Sequence, residues 1–444
     1  MKNKIKPILK TLLFYIFGCL LISFITESFG QGSIEKGFDF FKETPYRAFY
    51  NTALISLFLS PALLFKRRKF AFSLLSLPWL LFSGASYCLV QFRGSPLTRS
   101  DFSMISSAIT LANQYISLNL IIIVLLLLVI TILFLIFIWK FEHNKKRYNL
   151  KITIPLVLIL FIAFPSYITP LKQRAALLRQ LSDLYSSYQY NGFTHSFLYT
   201  ILNSGMSKPD EYSEESVADV MNNFYTLTYK EADLIEQPNI VFIQLESFFD
   251  PTWITNLTFN EDPIPVFRSL YEGNSNGLLH VPVIGGGTVN TEFEVLTGFP
   301  ISSFASGEIP YNTILKTKPL PSINYILKDY DYSTHAIHNH DGTFYDRYLV
   351  YPNLGFDTFT SSEYMYGYDK TPQGWMKDKY LTDEIKKAIT STEESDLIYA
   401  VSVQGHGSYP SDITLENQKI FITDNDGITN DLKNSWVTKL LQEI

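Results

Sequence analysis

The most constraining feature of the sequence is a run of apolar residues that is almost uninterrupted from Leu120 to Trp139. A helix of about 20 such residues is long enough to cross the hydrocarbon core of a bilayer. Four further apolar stretches flank this run, although Asn51 and Pro61 interrupt the second of the five. The sequence therefore predicts a membrane region of five helices. The predicted spans are Ile8–Thr26, Ala48–Phe65, Phe70–Val90, Ile116–Trp139 and Ile152–Ile168.

The charges of the intervening loops predict an orientation for these spans. Lysine and arginine cluster before the first span, between the second and third, and between the fourth and fifth, whereas the other loops mix both signs. By the positive-inside rule, the basic loops are cytoplasmic. Five spans from a cytoplasmic N-terminus then place everything after Thr169 outside the cell, as the large outer part of a multi-pass protein of the cell membrane.

Beyond Thr169 the chain has the mixed composition of a soluble domain. Both cysteines, Cys19 and Cys88, fall in predicted spans, so the outer region has no disulfide and no thiolate metal site. A net charge of −6 argues against nucleic-acid binding, which needs a basic face. We divide the chain into a membrane domain (1–170), a helical linker (171–237) that spaces the globular part from the bilayer, and a globular domain (238–444).

Short apolar strands alternate with helical patterns from Pro238 onward. Such alternation predicts an α/β domain with a largely parallel sheet, whose ligands bind beyond the C-terminal ends of the strands. The predicted strands are Asn239–Leu245, Leu278–Val283, Tyr332–His338 and Leu397–Val403. Helices are predicted near Pro263–Tyr271, Val289–Gly298, Pro321–Tyr330 and Leu381–Thr390, and a capped helix after Ser213 in the linker.

One segment combines three glycines, Gly285 to Gly287, with Thr288 and the start of a predicted helix. A hydroxyl at a helix N-terminus, where unpaired N–H groups favour a phosphate, is suited to act as a nucleophile. A metal bound to that hydroxyl would lower its pKa without a histidine base. The alternative is that Thr288 only caps the helix.

Further polar residues follow the predicted strands. Glu246 could coordinate a divalent cation, or it could be a solvated strand-end charge. His338 and His406 could face a metal or a phosphate, or they could be ordinary turn or core histidines. Arg347 offers a bidentate fork for phosphate, and a surface salt bridge with Asp346 or Asp357 is its competing role.

Taken together, these features resemble the lipoteichoic acid synthase family, membrane phosphoglycerol transferases with a sulfatase-like (alkaline-phosphatase-like) outer domain. The resemblance covers nearly the whole chain, and the spacing of His338 and Arg347 is among its more specific parts. The motifs that carry it are Leu245-Glu246-Ser247-Phe248, Gly287-Thr288 with Glu292-Phe293, His338 with Tyr345 and Arg347, and Gly405-His406.

This resemblance implies a site and a reaction. Glu246 and Thr288 would be ligands of a divalent metal, usually manganese and otherwise magnesium, with Thr288 as the nucleophile. His338, Arg347 and His406 would hold glycerol phosphate, and Tyr345 would form an aromatic wall. The implied donor is phosphatidylglycerol in the membrane of a Gram-positive bacterium, and the acceptor is a glycolipid or a growing lipoteichoic acid polymer.

The chain departs from this pattern in one respect. The family completes its metal site with an Asp-His pair, and the sequence contains no Asp-His dipeptide. The resemblance therefore implies a piece of a longer protein, with half of a metal shell and little activity by itself. Two alternatives stay open: a phosphoethanolamine transferase of the same fold, and a non-catalytic membrane-anchored binder of anionic cell-wall polymer.

Overall fold

Long helices make up the N-terminal part of the chain. The computed structural model describes residues 2–105, 118–142, single positions between 154 and 174, 183–203, 205–206, 211–225, 237–283, 285–407 and 420–424. The first helices are Lys2–Gln31, Ile34–Glu43, Pro45–Leu59, Arg68–Arg93, Arg99–Ser103 and Leu118–Phe141. Within the described residues, three segments are long and apolar enough to cross a membrane, namely Leu13–Gln31, Arg68–Arg93 and Ile122–Phe141. They correspond to the first, third and fourth predicted spans.

The second predicted span, Ala48–Phe65, is not one uninterrupted α-helix. Its α-helical part, Pro45–Leu59, has 15 residues and passes into a 3₁₀ helix that contains Pro61. An α-helix of that length reaches only ~22 Å, less than the ~30 Å hydrocarbon core. Proline ends the α-helical hydrogen bonding because it has no N–H to donate. The prediction of a spanning α-helix at the second of the five positions is therefore wrong. Most of the fifth predicted span, Ile152–Ile168, lies outside the described residues.

Two helices of the predicted linker pack against the membrane helices instead of acting as a spacer. They are Leu184–Asn191 and Phe193–Leu202, and their aromatic residues Tyr188, Phe193 and Phe197 are buried in the core of the N-terminal region. These apolar side chains gain stability by leaving water, which explains why this part of the linker does not stand free. A further helix, Glu214–Tyr225, begins after Ser213, whose hydroxyl accepts a hydrogen bond from the Ser216 N–H at 3.1 Å.

A buried polar joint fixes the start of the helix Phe193–Leu202. The carboxylate of Glu27 accepts hydrogen bonds from the N–H groups of Phe193 and Thr194, at 2.8 and 3.2 Å. Asn51 accepts from the His195 N–H and donates to the Asn191 carbonyl, both at 2.9 Å. Neither Glu27 nor Asn51 is exposed. The unpaired N–H groups at this helix start are thereby satisfied inside the protein.

The segment 94–104, here called the junction segment, connects the N-terminal helices with the α/β domain. It follows the helix Arg68–Arg93, which ends at Gly94 with a left-handed φ of 73°. Arg93 binds both carboxylate oxygens of Asp101, at 2.6 and 2.9 Å. The Tyr188 hydroxyl donates to the Leu97 carbonyl at 2.6 Å, and the Ser100 hydroxyl donates to the Gly307 carbonyl at 2.9 Å. The segment is therefore held from both sides.

A parallel sheet of four strands forms the centre of the α/β domain. The strands β1 (Ile240–Gln244), β3 (Ser333–His338), β4 (Thr358–Ser361) and β5 (Asp396–Val401) lie in the order β1-β5-β3-β4. Two short strands, β2 (Thr258–Phe259) and β6 (Ile422–Asp424), form an antiparallel pair. The predicted α/β domain with a largely parallel sheet is confirmed.

Three of the four predicted strands occur, and one is wrong. The stretch Leu278–Val283 is a loop, in which Leu278 and Leu279 are 78% and 71% exposed. An apolar run forms a strand only where another strand pairs with it and covers it, and no described strand does so here. Strand β4 is short and polar, so its sequence gives no apolar signal. The predicted helices occur as Pro265–Gly273, Val289–Thr297, Ile323–Lys328 and Leu381–Ile389.

Apolar side chains cover both faces of the sheet. On one face, Ala336, Tyr399 and Val401 pack in a core that includes Phe293 of the helix Val289–Thr297. On the other face, Ile337, Ile398 and Ala400 pack with Leu381 of the helix Leu381–Ile389. Alternate residues of each strand thus point to opposite cores. This packing fixes the helix that begins after Thr288 against the sheet.

Candidate active site

Three of the predicted site residues lie at or just beyond the C-terminal ends of three adjacent strands. Glu246 follows β1, His406 follows β5, and His338 is the last residue of β3. Because β5 lies between β1 and β3, these ends meet at one edge of the sheet. Thr288 reaches the same edge from the start of the helix Val289–Thr297. The predicted position of the site at this edge is the one at which α/β sheets bind ligands.

The hydroxyl of Thr288 donates a hydrogen bond to a carboxylate oxygen of Glu246. Thr288 stands at the N-cap position of the helix, yet its side chain makes no capping hydrogen bond and its backbone is helical, with φ −53° and ψ −26°. The purely structural alternative, in which Thr288 caps the helix, is therefore wrong. Its hydroxyl faces the acidic group that the sequence predicts beside it.

Glu246 is held in place and largely withdrawn from water. Its N–H donates to the buried Ser402 hydroxyl at 2.9 Å, which ties the end of β1 to the end of β5. Burial raises the pKa of Glu246, and the nearby positive charges of His406 and Arg347 and the hydrogen bond from Thr288 offset only part of that rise. Such a carboxylate accepts a proton more readily than an exposed one.

Arg347 does not present a free fork to the solvent. Its Nη2 and Nε donate to the two carboxylate oxygens of Glu292, at 2.5 and 3.4 Å, and Tyr351 donates to the same carboxylate at 3.0 Å. Burial alone would lower the pKa of Arg347, but the charge and hydrogen bond of Glu292, together with Tyr351 and Glu246, outweigh it and hold that pKa well above its ordinary value. The guanidinium therefore stays charged, with Glu292 as its partner.

The surface salt bridge considered for Arg347 is thus wrong in both of its forms. Asp346 pairs with Lys316, and Asp357 pairs with Lys328. Glu292 lies on the buried face of the helix Val289–Thr297, one turn after Thr288. The ion pair therefore connects the helix that carries the predicted nucleophile to the residue that is predicted to bind phosphate.

The histidines of the site form a row of ring contacts. His338 lies 5.8 Å from His340, which lies 5.4 Å from Trp375, and Trp375 lies 4.9 Å from His406. The Nδ1 of His338 is 2.9 Å from the Val401 carbonyl, so this nitrogen carries the proton and Nε2 is the acceptor. Burial, reinforced by the charge of Arg347, lowers the pKa of His338 well below its usual range. His338 is therefore a neutral imidazole.

Tyr345, which the resemblance implies as an aromatic wall, lies next to Arg347 in the structure. It is buried, with its ring 5.6 Å from the Arg347 guanidinium. Tyr345 and Asp346 both have left-handed backbone conformations, with φ of 57° and 51°, and Ser247, next to Glu246, has φ 63°. Such conformations are uncommon outside glycine and concentrate at functional sites. They turn the chain sharply beside both Glu246 and Arg347.

A sulfatase family model matches residues 238–436 of the sequence. We call the region that this model matches the sulfatase domain. A Bacillus subtilis protein, the lipoteichoic acid synthase-like YvgJ, is 23% identical over 245 residues, which are 52% of this chain and 37% of that protein. The resemblance to the lipoteichoic acid synthases that the sequence predicts is therefore confirmed.

Another relative is a Rhizobium meliloti protein named for cyclic beta-1,2-glucan modification. It is 30% identical over 248 residues, which are 56% of this chain and 37% of that protein. The chain thus spans less than two fifths of the length of either relative. The solved Streptococcus pyogenes phosphoglycerol transferase GacH in complex with sn-glycerol-1-phosphate aligns with a TM-score of 0.45 and 21% identity, over 54% of this chain and 64% of that chain.

Two further residues belong to the site of the sulfatase domain and were missed in the sequence. Trp375 lies between the rings of His340 and His406 and is 3% exposed. Asp378 accepts hydrogen bonds from the N–H groups of Val403 and Gln404, both at 3.0 Å, and so holds the turn that leads to His406. Both stand in an irregular stretch without periodicity, and the run Gln373-Gly374-Trp375 gives no more than a turn signal.

Two residues of the sulfatase domain have the chemistry of metal ligands. Glu246 and Thr288 bring two oxygen donors together, as hard divalent cations require. No cluster of three or more histidine, cysteine, aspartate or glutamate residues that could hold a metal occurs in the described part of the chain. The two donors therefore fit a cation such as manganese or magnesium and would supply a portion of its shell.

Proposed function

We propose that the sulfatase domain transfers glycerol phosphate from phosphatidylglycerol to an acceptor hydroxyl, with Thr288 as the nucleophile. The observation that carries the proposal is the hydrogen bond from the Thr288 hydroxyl to Glu246, at the start of a helix. The match to the sulfatase model and the similarity to a lipoteichoic acid synthase-like protein support it. The apolar helices of the N-terminal region would keep the site close to its lipid substrate.

The reaction has two steps. First, the Thr288 oxygen bonds to the headgroup phosphorus and the bond from phosphorus to the diacylglycerol oxygen breaks. The Thr288 proton passes to Glu246, which is the acceptor of its hydrogen bond, and ends on the departing diacylglycerol oxygen. Second, an acceptor hydroxyl attacks the phosphorus, the bond to Thr288 breaks, and the proton of the acceptor returns to Thr288.

The remaining residues hold the phosphate and its charge. The N–H groups at the start of the helix Val289–Thr297 face developing negative charge. Arg347 is paired with Glu292 and acts on the phosphate through its field, while the Nε2 of His338 accepts a hydrogen bond from a glycerol hydroxyl. Glu246 and Thr288 would hold a divalent cation, which when bound lowers the pKa of the threonine hydroxyl. His406 contacts the phosphate, and Tyr345 walls the site.

The name of the Rhizobium meliloti relative supports a glycan acceptor rather than water alone. We place the site on the outer side of the cell membrane, because the basic loops predict that orientation for the chain. A phosphoethanolamine headgroup is the competing donor, and a non-catalytic binder of anionic polymer is the competing class of protein. One experiment separates the three.

The test uses membranes that contain the complete protein, with added manganese and vesicles of either phosphatidylglycerol or phosphatidylethanolamine. We expect diacylglycerol release from phosphatidylglycerol, and loss of it on the order of a thousandfold or more in Thr288→Ala. Thr291→Ala, on the same helix, is the matched control and should release diacylglycerol normally. Mass spectrometry of protein that is quenched during turnover should show the adduct on Thr288, and the adduct mass identifies the headgroup. Equal release by wild type and Thr288→Ala would rule out the proposed nucleophile.

A further inference from the structure

A cavity of about 340 Å³ lies between the junction segment and the first turn of the helix Val289–Thr297. The N-terminal region contributes Arg93 and Asp101 to its walls, and the sulfatase domain contributes Asn290, Glu308 and Tyr345. We call it the junction cavity. Gly286 and Gly287 also line it, so it adjoins the backbone that leads into Thr288. A ligand inside it would lie beside the predicted nucleophile.

Two residues that line the junction cavity each carry a buried side-chain oxygen atom with no hydrogen-bond donor among the described residues. These atoms are the Oε1 of Glu308 and the Oδ1 of Asn290, and each of these residues is 5% exposed. The Asn290 side chain donates to the Glu308 carbonyl at 3.1 Å, so the two residues are neighbours. Within the described residues neither oxygen has a partner, and such an arrangement is costly unless a ligand or water supplies the donor. A ligand that donates hydrogen bonds to Glu308 and Asn290 would therefore suit this cavity.

The charges around the junction cavity disfavour an anion. Arg93 is the one described cation on its wall, and both oxygens of Asp101 bind its guanidinium. Asp183 and Glu308 add two further carboxylates to the wall. A phosphate would meet this excess of negative charge without a free counter-charge among the described residues. The cavity is thus unsuited to the phosphate of the lipid donor and suited to a neutral ligand with hydroxyl groups.

Tyr345 adds an aromatic surface to these acceptor oxygens. It lines the junction cavity and is the residue predicted to form the aromatic wall of the phosphate site, so one side chain separates the two spaces. An aromatic ring beside carboxylate and amide oxygens suits a ligand with apolar C–H groups and hydroxyls. At about 340 Å³ the cavity is at the small end of the range for ligand pockets, roughly 300–1,000 Å³.

We propose that the junction cavity binds the acceptor of the transfer reaction, as a neutral sugar or glycerol unit whose hydroxyls donate to Glu308 and Asn290. That the bound ligand acts as the acceptor rests on the proposed function. That the cavity binds a neutral polyol does not depend on it. One hydroxyl of the bound unit attacks the phosphorus on Thr288, the bond from phosphorus to Thr288 breaks, and the proton of that hydroxyl passes to Thr288. The junction segment is then a wall of the substrate site as well as a connection.

The first measurement is binding, made by saturation-transfer NMR on the full chain in detergent with a neutral β-glucan oligosaccharide. We compare the wild type with Glu308→Leu, which removes the acceptor oxygens while keeping a similar volume. Glu384→Leu is the control, because Glu384 is also buried, at 7% exposed, and lies outside the cavity. We expect binding at least tenfold weaker in Glu308→Leu and unaltered binding in Glu384→Leu. Equal affinity of wild type and Glu308→Leu for the oligosaccharide would overturn the proposal.

Competing ligands and a second variant sharpen this measurement. Glycerol should displace the oligosaccharide, and inorganic phosphate should not. Binding of ethanolamine together with no binding of the oligosaccharide would overturn the assignment to a polyol in favour of an ammonium group. Ser306→Phe, which places a ring in the cavity, should also abolish binding, and thermal unfolding checks that both variants are folded.

The second measurement is the partition of the headgroup between glucan and water during turnover. In Glu308→Leu we expect the ratio of glucan product to free glycerol phosphate to fall at least tenfold. If the wild type releases no headgroup while glucan binding still depends on Glu308, the proposed function fails and the cavity assignment stands. If the headgroup is released and the ratio does not depend on Glu308, the cavity assignment fails and the proposed function stands.

Discussion

Arg347 and Glu292 form an ion pair that is almost completely withdrawn from water, with side chains 1% and 0% exposed and 2.5 Å between Nη2 and Oε1. Tyr351 adds a hydrogen bond to the same carboxylate. Two charges buried in this way are stable only while each has the other, because either one alone is left without water or a counter-charge. The pair therefore fixes the helix after Thr288 relative to the helix Arg347–Asn353.

The first prediction follows from this pair. Arg347→Met should lower the free energy of unfolding by about 3–5 kcal/mol, because it leaves the carboxylate of Glu292 buried and unpaired. The double variant Arg347→Met with Glu292→Leu should regain most of that loss, because both charges are removed together. Urea unfolding in detergent measures both values. Headgroup release should be lost in both variants if Arg347 also acts on the phosphate.

Lys316→Met is the control for this prediction. The ion pair of Lys316 with Asp346 is partly exposed, with side chains 24% and 30% accessible, so its loss should cost less than about 1 kcal/mol. A double variant that is as unstable as Arg347→Met alone would contradict the account of the buried pair.

The fold and part of the site could be predicted because their signals are local. Short runs with apolar and aromatic residues indicate the strands β1, β3 and β5, and a polar residue at the end of such a run or shortly after it must lie at the C-terminal edge of the sheet. Glu246, His338 and His406 meet this condition. Thr288 was found by its glycines and by the helical pattern that follows.

The partners of these residues could not be predicted, because they depend on long-range packing. Glu292 stands one turn into a helix, where an acidic residue usually faces solvent, and only the three-dimensional fold brings Arg347 to it. Trp375 lies in a segment without periodicity, so no pattern indicates that it contacts His406. The predicted strand Leu278–Val283 failed for the same reason, since an apolar run does not show whether another strand pairs with it.

The second prediction concerns Gly285, which packs against the end of the helix Arg68–Arg93. A Cβ added to Gly285 would lie 1.8 Å from the Arg93 carbonyl oxygen, and the φ of +83° also disfavours any side chain. Gly285→Ala should therefore lower stability by at least about 1–2 kcal/mol from the backbone conformation alone. Gly277→Ala is the control, because its added Cβ would meet open space. Thermal unfolding of the two variants in the same detergent measures this difference, and the midpoint of Gly285→Ala should be the lower one. Equal midpoints would show that Gly285 does not pack against the Arg93 carbonyl.

The third prediction is a dependence of stability on pH through His340. Burial, with the positive charges of Arg347 and His406, lowers the pKa of His340 to about 4, against about 6.5 in the unfolded chain. Between these values the unfolded chain binds a proton and the folded protein does not. The free energy of unfolding should therefore fall as the pH drops from 6.5 to 4, by up to about 3 kcal/mol from this residue.

His340→Asn tests this dependence, because it removes the titrating ring. Urea unfolding at pH 7.5, 6 and 5 should give a smaller slope for the variant than for the wild type. His338, whose pKa is also lowered, should keep part of the slope in the variant. Above pH 7 the difference between the two proteins should be constant, since both histidines are then neutral in either state. Identical slopes for the two proteins between pH 6 and 5 would contradict the prediction.

The last prediction concerns Asn51, for which hydropathy and the buried hydrogen bonds of the N-terminal region predict opposite effects of a substitution. By hydropathy, Asn51→Leu should improve an apolar helix in a membrane. In the structure, however, Asn51 is fully buried, accepts from the His195 N–H and donates to the Asn191 carbonyl. The leucine would remove both of these buried hydrogen bonds, at about 1 kcal/mol each, so we expect a lower unfolding temperature. Asn203→Leu, at an exposed position, is the control and should have little effect on the unfolding temperature. A higher unfolding temperature for Asn51→Leu than for the wild type would contradict the prediction and show that hydropathy dominates at Asn51.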